Sequence, residues 1–177
     1  MIKVILLAIG WIVLASAAYA GLSAAPWVPT KPKQKRRLMK HVDLKDGDRV
    51  YDLGCGTGTL LFEAVKKNPR IQAIGYELSI LPFLIAYANH LLRGRRFQNL
   101  SIRFGDLFRK PLHEADVIFV FLLSKSYKRL RQKFAMELND NCTVVVEAWP
   151  FPGIEPIQTV REEKLLPVFI YKGSQFR

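Results

Sequence analysis

Val50-Tyr51-Asp52-Leu53-Gly54-Cys55-Gly56-Thr57-Gly58 decides how this chain is read. An apolar run carrying one acid enters three glycines at alternate positions, and Thr59–Lys67 follows as a helix. Glycine permits a tight turn and lets a ligand approach the backbone. A strand, such a turn and a helix at the carboxyl edge of a parallel sheet form the usual corner for a nucleotide. The spacing excludes two kinds. A dinucleotide turn needs G-x-G-x-x-G, but the sixth position from Gly54 is Thr59 and from Gly56 is Leu61. A P-loop needs lysine after its last glycine, and none follows Gly58. Asp52 would repel a pyrophosphate and suits a ligand that carries an ammonium and a sulfonium.

Outward from this turn, apolar strands alternate with helices. Arg49–Leu53, Ile71–Tyr76, Leu100–Phe104, Asp116–Leu122 and Thr143–Glu147 read as strands. Thr59–Lys67, Ile80–Leu92 and Tyr127–Leu138 read as helices, the second apolar all round and the third amphipathic. Strands without polar alternation imply a parallel sheet covered on both faces. Ile157–Arg161 and Pro167–Lys172 follow as two strands with only Glu162-Glu163-Lys164 at the turn between them. The fold class is therefore α/β: a Rossmann-like, doubly wound, seven-strand sheet, mostly parallel, closed by a C-terminal antiparallel hairpin. The proline-rich stretch Ala148–Pro156 leaves little room for a helix between strands five and six. That crossover is expected to be a loop, leaving part of one sheet face open to a partner or to the N-terminal helix.

Two more acids stand at strand ends. Glu77 follows the second strand, 19 residues after Gly58, where a carboxylate can accept from both ribose hydroxyls. Asp106 closes the third strand within Phe104-Gly105-Asp106-Leu107. An Asp in such a turn is also common without any ligand.

The strand followed by D-x-G-x-G-x-G resembles the first motif of the class I S-adenosylmethionine (SAM)-dependent methyltransferases, matched here in full. The resemblance implies SAM as cofactor. It implies that Gly54, Cys55, Gly56 and Gly58 pass close to the methionine part and the adenosine, and that Asp52 orients the amino-acid end. It gives Glu77 and Leu78 to the ribose side, Asp106 to the adenine amino group and the backbone of Leu107 to an adenine ring nitrogen. A narrower likeness spans about residues 26–172. Trp27-Val28-Pro29-Thr30, YDLGCGTG, GYEL, FGDLF, DVIFVFLL, Trp149-Pro150-Phe151-Pro152 and Phe169-Ile170-Tyr171-Lys172 occur in the order of the family containing the ATP synthase c-subunit and adenine nucleotide translocase lysine methyltransferases. That likeness implies lysine methylation of a membrane protein. The chain departs from it with Gly56-Thr57-Gly58 in place of G-D-G and with Ser124 in place of a proline.

The acceptor side is less marked. Methyl transfer needs alignment and exclusion of water, and an amine acceptor must first lose its proton. Phe121-Leu122-Leu123-Ser124-Lys125-Ser126-Tyr127 follows the fourth strand as the expected acceptor wall. Ser124 and Ser126 are candidates to bond an acceptor or to cap the next helix, and Glu147 is placed to face the pocket or to serve structure alone. The nucleobase signature [DNS]-P-P-[YFW] is absent, which argues against nucleic acid as partner. No catalytic residue is named at this level. His41, His90 and His113 lack ligand spacing, Cys55 and Cys142 make no CxxC, and no metal is expected.

The N-terminus sets the location. No charged side chain lies between Val4 and Thr30. Val4–Ala25 as a helix would be roughly 33 Å long, enough to cross a bilayer core of about 30 Å. The net charge is +12, and residues 1–40 hold seven basic residues and no acid. Most of the excess thus sits beside the apolar stretch and suits anionic headgroups. Basic residues after the span keep the following domain in the cytoplasm. The rival is a signal peptide with its A-x-A site at Ala18-Tyr19-Ala20. The expected organisation is a transmembrane anchor over 1–28, a basic juxtamembrane linker over 29–40 and a methyltransferase domain over 41–177. The expected function is methylation of lysines on a membrane-associated protein. The alternatives are a small lipophilic molecule or lipid, RNA, or a SAM-binding module without catalysis.

Overall fold

The computed structural model describes residues 1–25 and 27–177. Among the described residues five α-helices and seven strands run in the order α1 (Ile2–Ser23), α2 (Pro32–His41), β1 (Arg49–Leu53), α3 (Thr59–Lys67), β2 (Gln72–Glu77), α4 (Ile80–Arg93), β3 (Leu100–Phe104), β4 (Val117–Val120), α5 (Tyr127–Glu137), β5 (Thr143–Glu147), β6 (Gln158–Val160) and β7 (Val168–Lys172). The strands form one sheet in the order β3-β2-β1-β4-β5-β7-β6. β3, β2, β1, β4 and β5 are parallel, and β7 runs antiparallel to both β5 and β6. The chain winds outward from β1 to β3 and then returns to β4 on the other side. This reversal opens a crevice at the carboxyl ends of β1 and β4, where Asp52 pairs in register with Phe119.

Alternation along the strands sends side chains to two cores. Val50, Leu61, Val65, Ile71, Phe119 and Val145 lie on the α3 side, and Tyr51, Leu53, Ile118, Val120, Leu130 and Phe134 on the α5 side. No helix joins β5 to β6. The expectation that this leaves a sheet face open is corrected by two substitutes. Leu38 and Met39 of α2 join the core that contains Val145, Val168 and Ile170. On the other face Phe151 stacks on Tyr127 with ring centroids 4.6 Å apart and meets Phe176 at 4.9 Å. α2 starts with Pro32 at its first turn, where a missing N–H costs nothing. The stretch read as a basic linker therefore carries a helix that buries Gln34, Arg37, Leu38 and Met39.

α1 is exposed along most of its 22 residues and is long and apolar enough to cross a membrane. Its C-terminal end meets the rest of the fold at the carboxyl edge of the sheet, not on the face once expected to receive it. The Ile80 N–H donates to Ser16 Oγ at 3.3 Å, Lys125 Nζ to the Gly21 carbonyl at 2.6 Å and the Leu123 N–H to the Ala24 carbonyl at 3.2 Å. α4, apolar all round by sequence, buries only Pro82 and Ala86 and leaves Leu81, Leu84, Leu91 and Leu92 exposed.

Candidate active site

The glycine turn is held by hydrogen bonds that leave it unsuited to phosphate. The N–H groups of Gly54 and Cys55 both donate to the Tyr76 carbonyl, at 2.9 and 3.0 Å. The Gly56 N–H donates to Glu77 Oε2 at 2.8 Å, and the Gly58 N–H to the Cys55 carbonyl at 2.8 Å. A phosphate cradle needs such donors free. Gly54, Gly56 and Gly58 have φ of +84°, +55° and +73°, the left-handed region that favours glycine. Gly58 caps the start of α3.

Glu77 is buried at the end of β2. Its second oxygen, Oε1, accepts the Ser79 N–H at 2.7 Å. It thus ties the glycine turn to the start of α4 and keeps its remaining lone pairs for a ligand. Asp106 accepts the Phe108 N–H at 2.9 Å, while the Arg129 guanidinium stacks 3.9 Å above the Phe108 ring and comes within 4.0 Å of Asp106.

One cleft gathers these parts. Asp52, Gly54, Cys55, Gly56, Glu77, Leu78, Asp106 and Leu107 all line it. Gly58 does not: it shapes the helix start behind the wall. The cleft also takes in residues that lie outside the motifs. Ala20 and Ala24 come from the end of α1, Trp27 to Thr30 from the segment after it, and Phe121, Glu147 and Trp149 from the ends of β4 and β5. The Trp27-Val28-Pro29-Thr30 segment was visible only as part of a family likeness. Nothing in the sequence marked the end of α1 as a wall. Ser124 and Ser126 fall in a 3₁₀ turn before α5, where Ser126 Oγ donates to the Leu123 carbonyl at 2.7 Å and serves the local turn.

The cleft is electrostatically one-sided. Asp52 is 6% exposed, and no hydrogen bond joins its side chain to a described residue. Burial, followed by the charges of Glu147 and Glu77, pushes its carboxyl up to about 8. Glu147 is 2% exposed and its Oε2 has no partner among the described residues. Burial raises its carboxyl to about 7, while Gln34 and Arg37 hold the rise back. Burial likewise pushes the Cys55 thiol well up, so it is no nucleophile. Three buried acids converge on one cavity, an arrangement that suits a cation and disfavours phosphate. Among the described residues no group of His, Cys, Asp and Glu forms a metal site.

The family model for the ANTKMT methyltransferase domain matches residues 52–158, from the acid before the glycines to the first residue of β6. The chain belongs to the ANTKMT methyltransferase domain family. It is a SAM-dependent methyltransferase. A protein-lysine N-methyltransferase of Saccharolobus islandicus is 32% identical over 138 residues, covering 78% of this chain and 85% of that protein. The human ATP synthase c-subunit lysine N-methyltransferase is 30% identical over 154 residues, or 86% of this chain, and the match spans 63% of the human protein's length. Among solved structures, an RNA methyltransferase from Salinibacter ruber in complex with S-adenosyl-L-homocysteine superposes with a TM-score of 0.76 at 26% identity, covering 82% of this chain and 93% of that one. The ANTKMT-family fold thus accounts for the seven-strand sheet, the glycine turn and the cofactor class together.

Proposed function

We propose that this protein is a membrane-anchored protein-lysine N-methyltransferase. Residues 1–28 form a single-pass anchor, 29–40 a basic segment at the headgroups and 41–177 the catalytic domain on the cytoplasmic side. One observation supports the reading: Ala20 and Ala24, at the end of the one helix among the described residues that is long and apolar enough to span a bilayer, line the same cleft as Asp52. A site roofed by the foot of its own anchor opens at the membrane surface. Acceptors carried there are membrane proteins or lipids, and the acid-lined cavity selects a cationic acceptor over a phosphate-bearing one. That choice favours lysine over RNA, in line with the two lysine methyltransferases among the relatives.

The donor set fits SAM. Asp52, buried and without a hydrogen-bond partner among the described residues, matches the amino-acid ammonium and the sulfonium; Gly54, Cys55 and Gly56 present their backbone to the cleft; Glu77 and Leu78 take the ribose; Asp106 and Leu107 take the adenine. When bound, SAM supplies a methyl on a cationic sulfur: the N–CH3 bond forms as the C–S bond breaks, and the electron pair stays on sulfur as a neutral thioether. The chain's own work is to hold the acceptor in line, exclude water with Trp27, Phe121 and Trp149, and receive the proton an ammonium must lose.

Transfer of tritiated SAM into a membrane extract tests this. Label in a protein band that hydrolyses to methyl-lysine is the expected result. Label in the organic extract or in RNA, or SAM binding with no transfer at all, overturns it.

A further inference from the structure

A second cavity of about 300 Å³ lies beside the cofactor cleft. The two share Val28, Pro29, Thr30, Phe121 and Glu147, so they adjoin along these residues. On its far side the second cavity is bounded by Gln34 of α2 and by Leu165 and Leu166 in the loop before β7. It is mostly apolar, with one carboxylate at its inner end. That carboxylate, Glu147, is the most deeply buried acid in the cleft, and its Oε2 lacks a partner among the described residues.

The surroundings explain how such an acid is kept there. Arg37 and Gln34 both donate to the Leu166 carbonyl, the latter at 3.1 Å, which pins α2 to the loop that walls the cavity. Arg37 Nε and one terminal nitrogen, with Gln34 Oε1, remain buried without hydrogen-bond partners among the described residues. Buried polar atoms left without hydrogen bonds are costly in a fold that has no use for them. The position of Glu147 matches what an alkyl chain ending in an ammonium would meet: a greasy passage, then an open carboxylate beside the methyl donor.

We propose that the second cavity is the entry channel for a primary alkylammonium side chain, and that Glu147 receives the ammonium at the junction and takes its proton. This rests on the lysine-methyltransferase reading above and adds to it the route and the base. The proton passes from nitrogen to Glu147 Oε2, which frees the amine lone pair; after transfer the carboxyl returns it to solvent. Other charged or titratable groups act on Glu147 or stand at the channel. They are Asp52 from β1, Arg37 from α2, Tyr127 from α5, whose hydroxyl donates to the Trp149 carbonyl at 3.1 Å, and two lysines that line the channel, Lys31 and the exposed Lys164. Burial set against Arg37 and Gln34 holds Glu147 near neutrality, where a base is most useful.

The test uses the full chain in detergent micelles with three readouts. SAM binding by calorimetry reports the cofactor site, the carbon-13 shift of the Glu147 carboxyl on adding n-butylammonium reports the channel, and methylation of poly-L-lysine reports turnover. Glu147→Gln is expected to keep SAM affinity within about twofold and to lower kcat/KM by about 100-fold or more, with loss of the acid limb near pH 7. In the wild type, n-butylammonium is expected to move the Glu147 signal and lower its apparent pKa; Leu166→Trp, which fills the channel, is expected to abolish that response while SAM still binds. A wild type that binds SAM but shows no Glu147 response to n-butylammonium overturns the channel alone. So does a Glu147→Gln variant with unchanged kcat/KM and pH profile. Absence of SAM binding in the wild type overturns the methyltransferase reading itself, and the channel with it.

Discussion

The indole of Trp27 rests directly on Gly56: a Cβ built on Gly56 would lie 2.8 Å from Trp27 Cδ1. The segment that follows the apolar helix therefore closes on the glycine turn of the candidate site. Gly56 is constrained twice, by this contact and by its φ of +55°. Gly56→Ala is expected to cost about 1–2 kcal/mol of stability from the left-handed backbone alone and to weaken SAM binding at least about tenfold. Adding Trp27→Ala removes the clash but not the backbone strain. The double variant is expected to regain part of the affinity and little of the stability, read by calorimetry and thermal unfolding.

Asp52 sets a pH dependence. Its carboxyl stands at about 8 in the folded protein against an ordinary value of 3.8. The folded state holds a proton that the unfolded chain has already released across that interval. The stability linked to this proton is complete below about pH 4 and is lost as pH rises through about 8. Asp52→Asn keeps the shape and removes the titration. It is expected to raise stability at pH 8 by up to about 5 kcal/mol while abolishing measurable SAM binding. A melting curve for the variant that falls as steeply with pH as the wild type's would contradict this.

What the sequence disclosed was what local pattern controls. The strand into Asp52 and the three glycines, the acid closing β2 and the valine-rich β5 each announce themselves within a few residues. The absence of a helix after β5 was readable from the prolines. The position of Gln34 and Arg37 behind Glu147 was not, because more than a hundred residues separate them and Arg37 stands in a run of lysines and arginines that looks like solvated charge. Only packing of Leu38 and Met39 turns that run into a helix with a buried side. The end of α1 was equally silent: apolar residues that cross a bilayer and apolar residues that wall a cleft have the same composition.

Gly75, on β2, makes room for the cofactor turn. A Cβ there would lie 2.6 Å from Cys55 Sγ and 2.8 Å from Leu61 Cδ1. Cys55 Cβ would lie 2.9 Å away as well, so rotating the Cys55 and Leu61 side chains does not relieve the contact and the turn itself must shift. Gly75→Ala is expected to destabilise the fold by about 1–3 kcal/mol and to reduce SAM affinity although residue 75 lines no part of the cleft. Chemical denaturation with calorimetry on the same samples separates the two effects. A variant as stable as wild type would show that the turn has more freedom than this packing allows.

The foot of the apolar helix α1 forms part of the cleft wall. Ala20 and Ala24 line the cleft, and Lys125 and Leu123, on the acceptor wall, donate to the Gly21 and Ala24 carbonyls. Removing residues 1–23 would leave every residue of the D-x-G-x-G-x-G turn in place. It would also strip one wall and free the 121–125 segment from its support. The truncated chain is expected to bind SAM about tenfold more weakly than the full chain in the same micelles, and Lys125→Ala in the full chain about two- to fivefold more weakly, in keeping with one lost hydrogen bond of about 0.5–1 kcal/mol. Equal affinities for full and truncated chains would reduce α1 to a device for localisation.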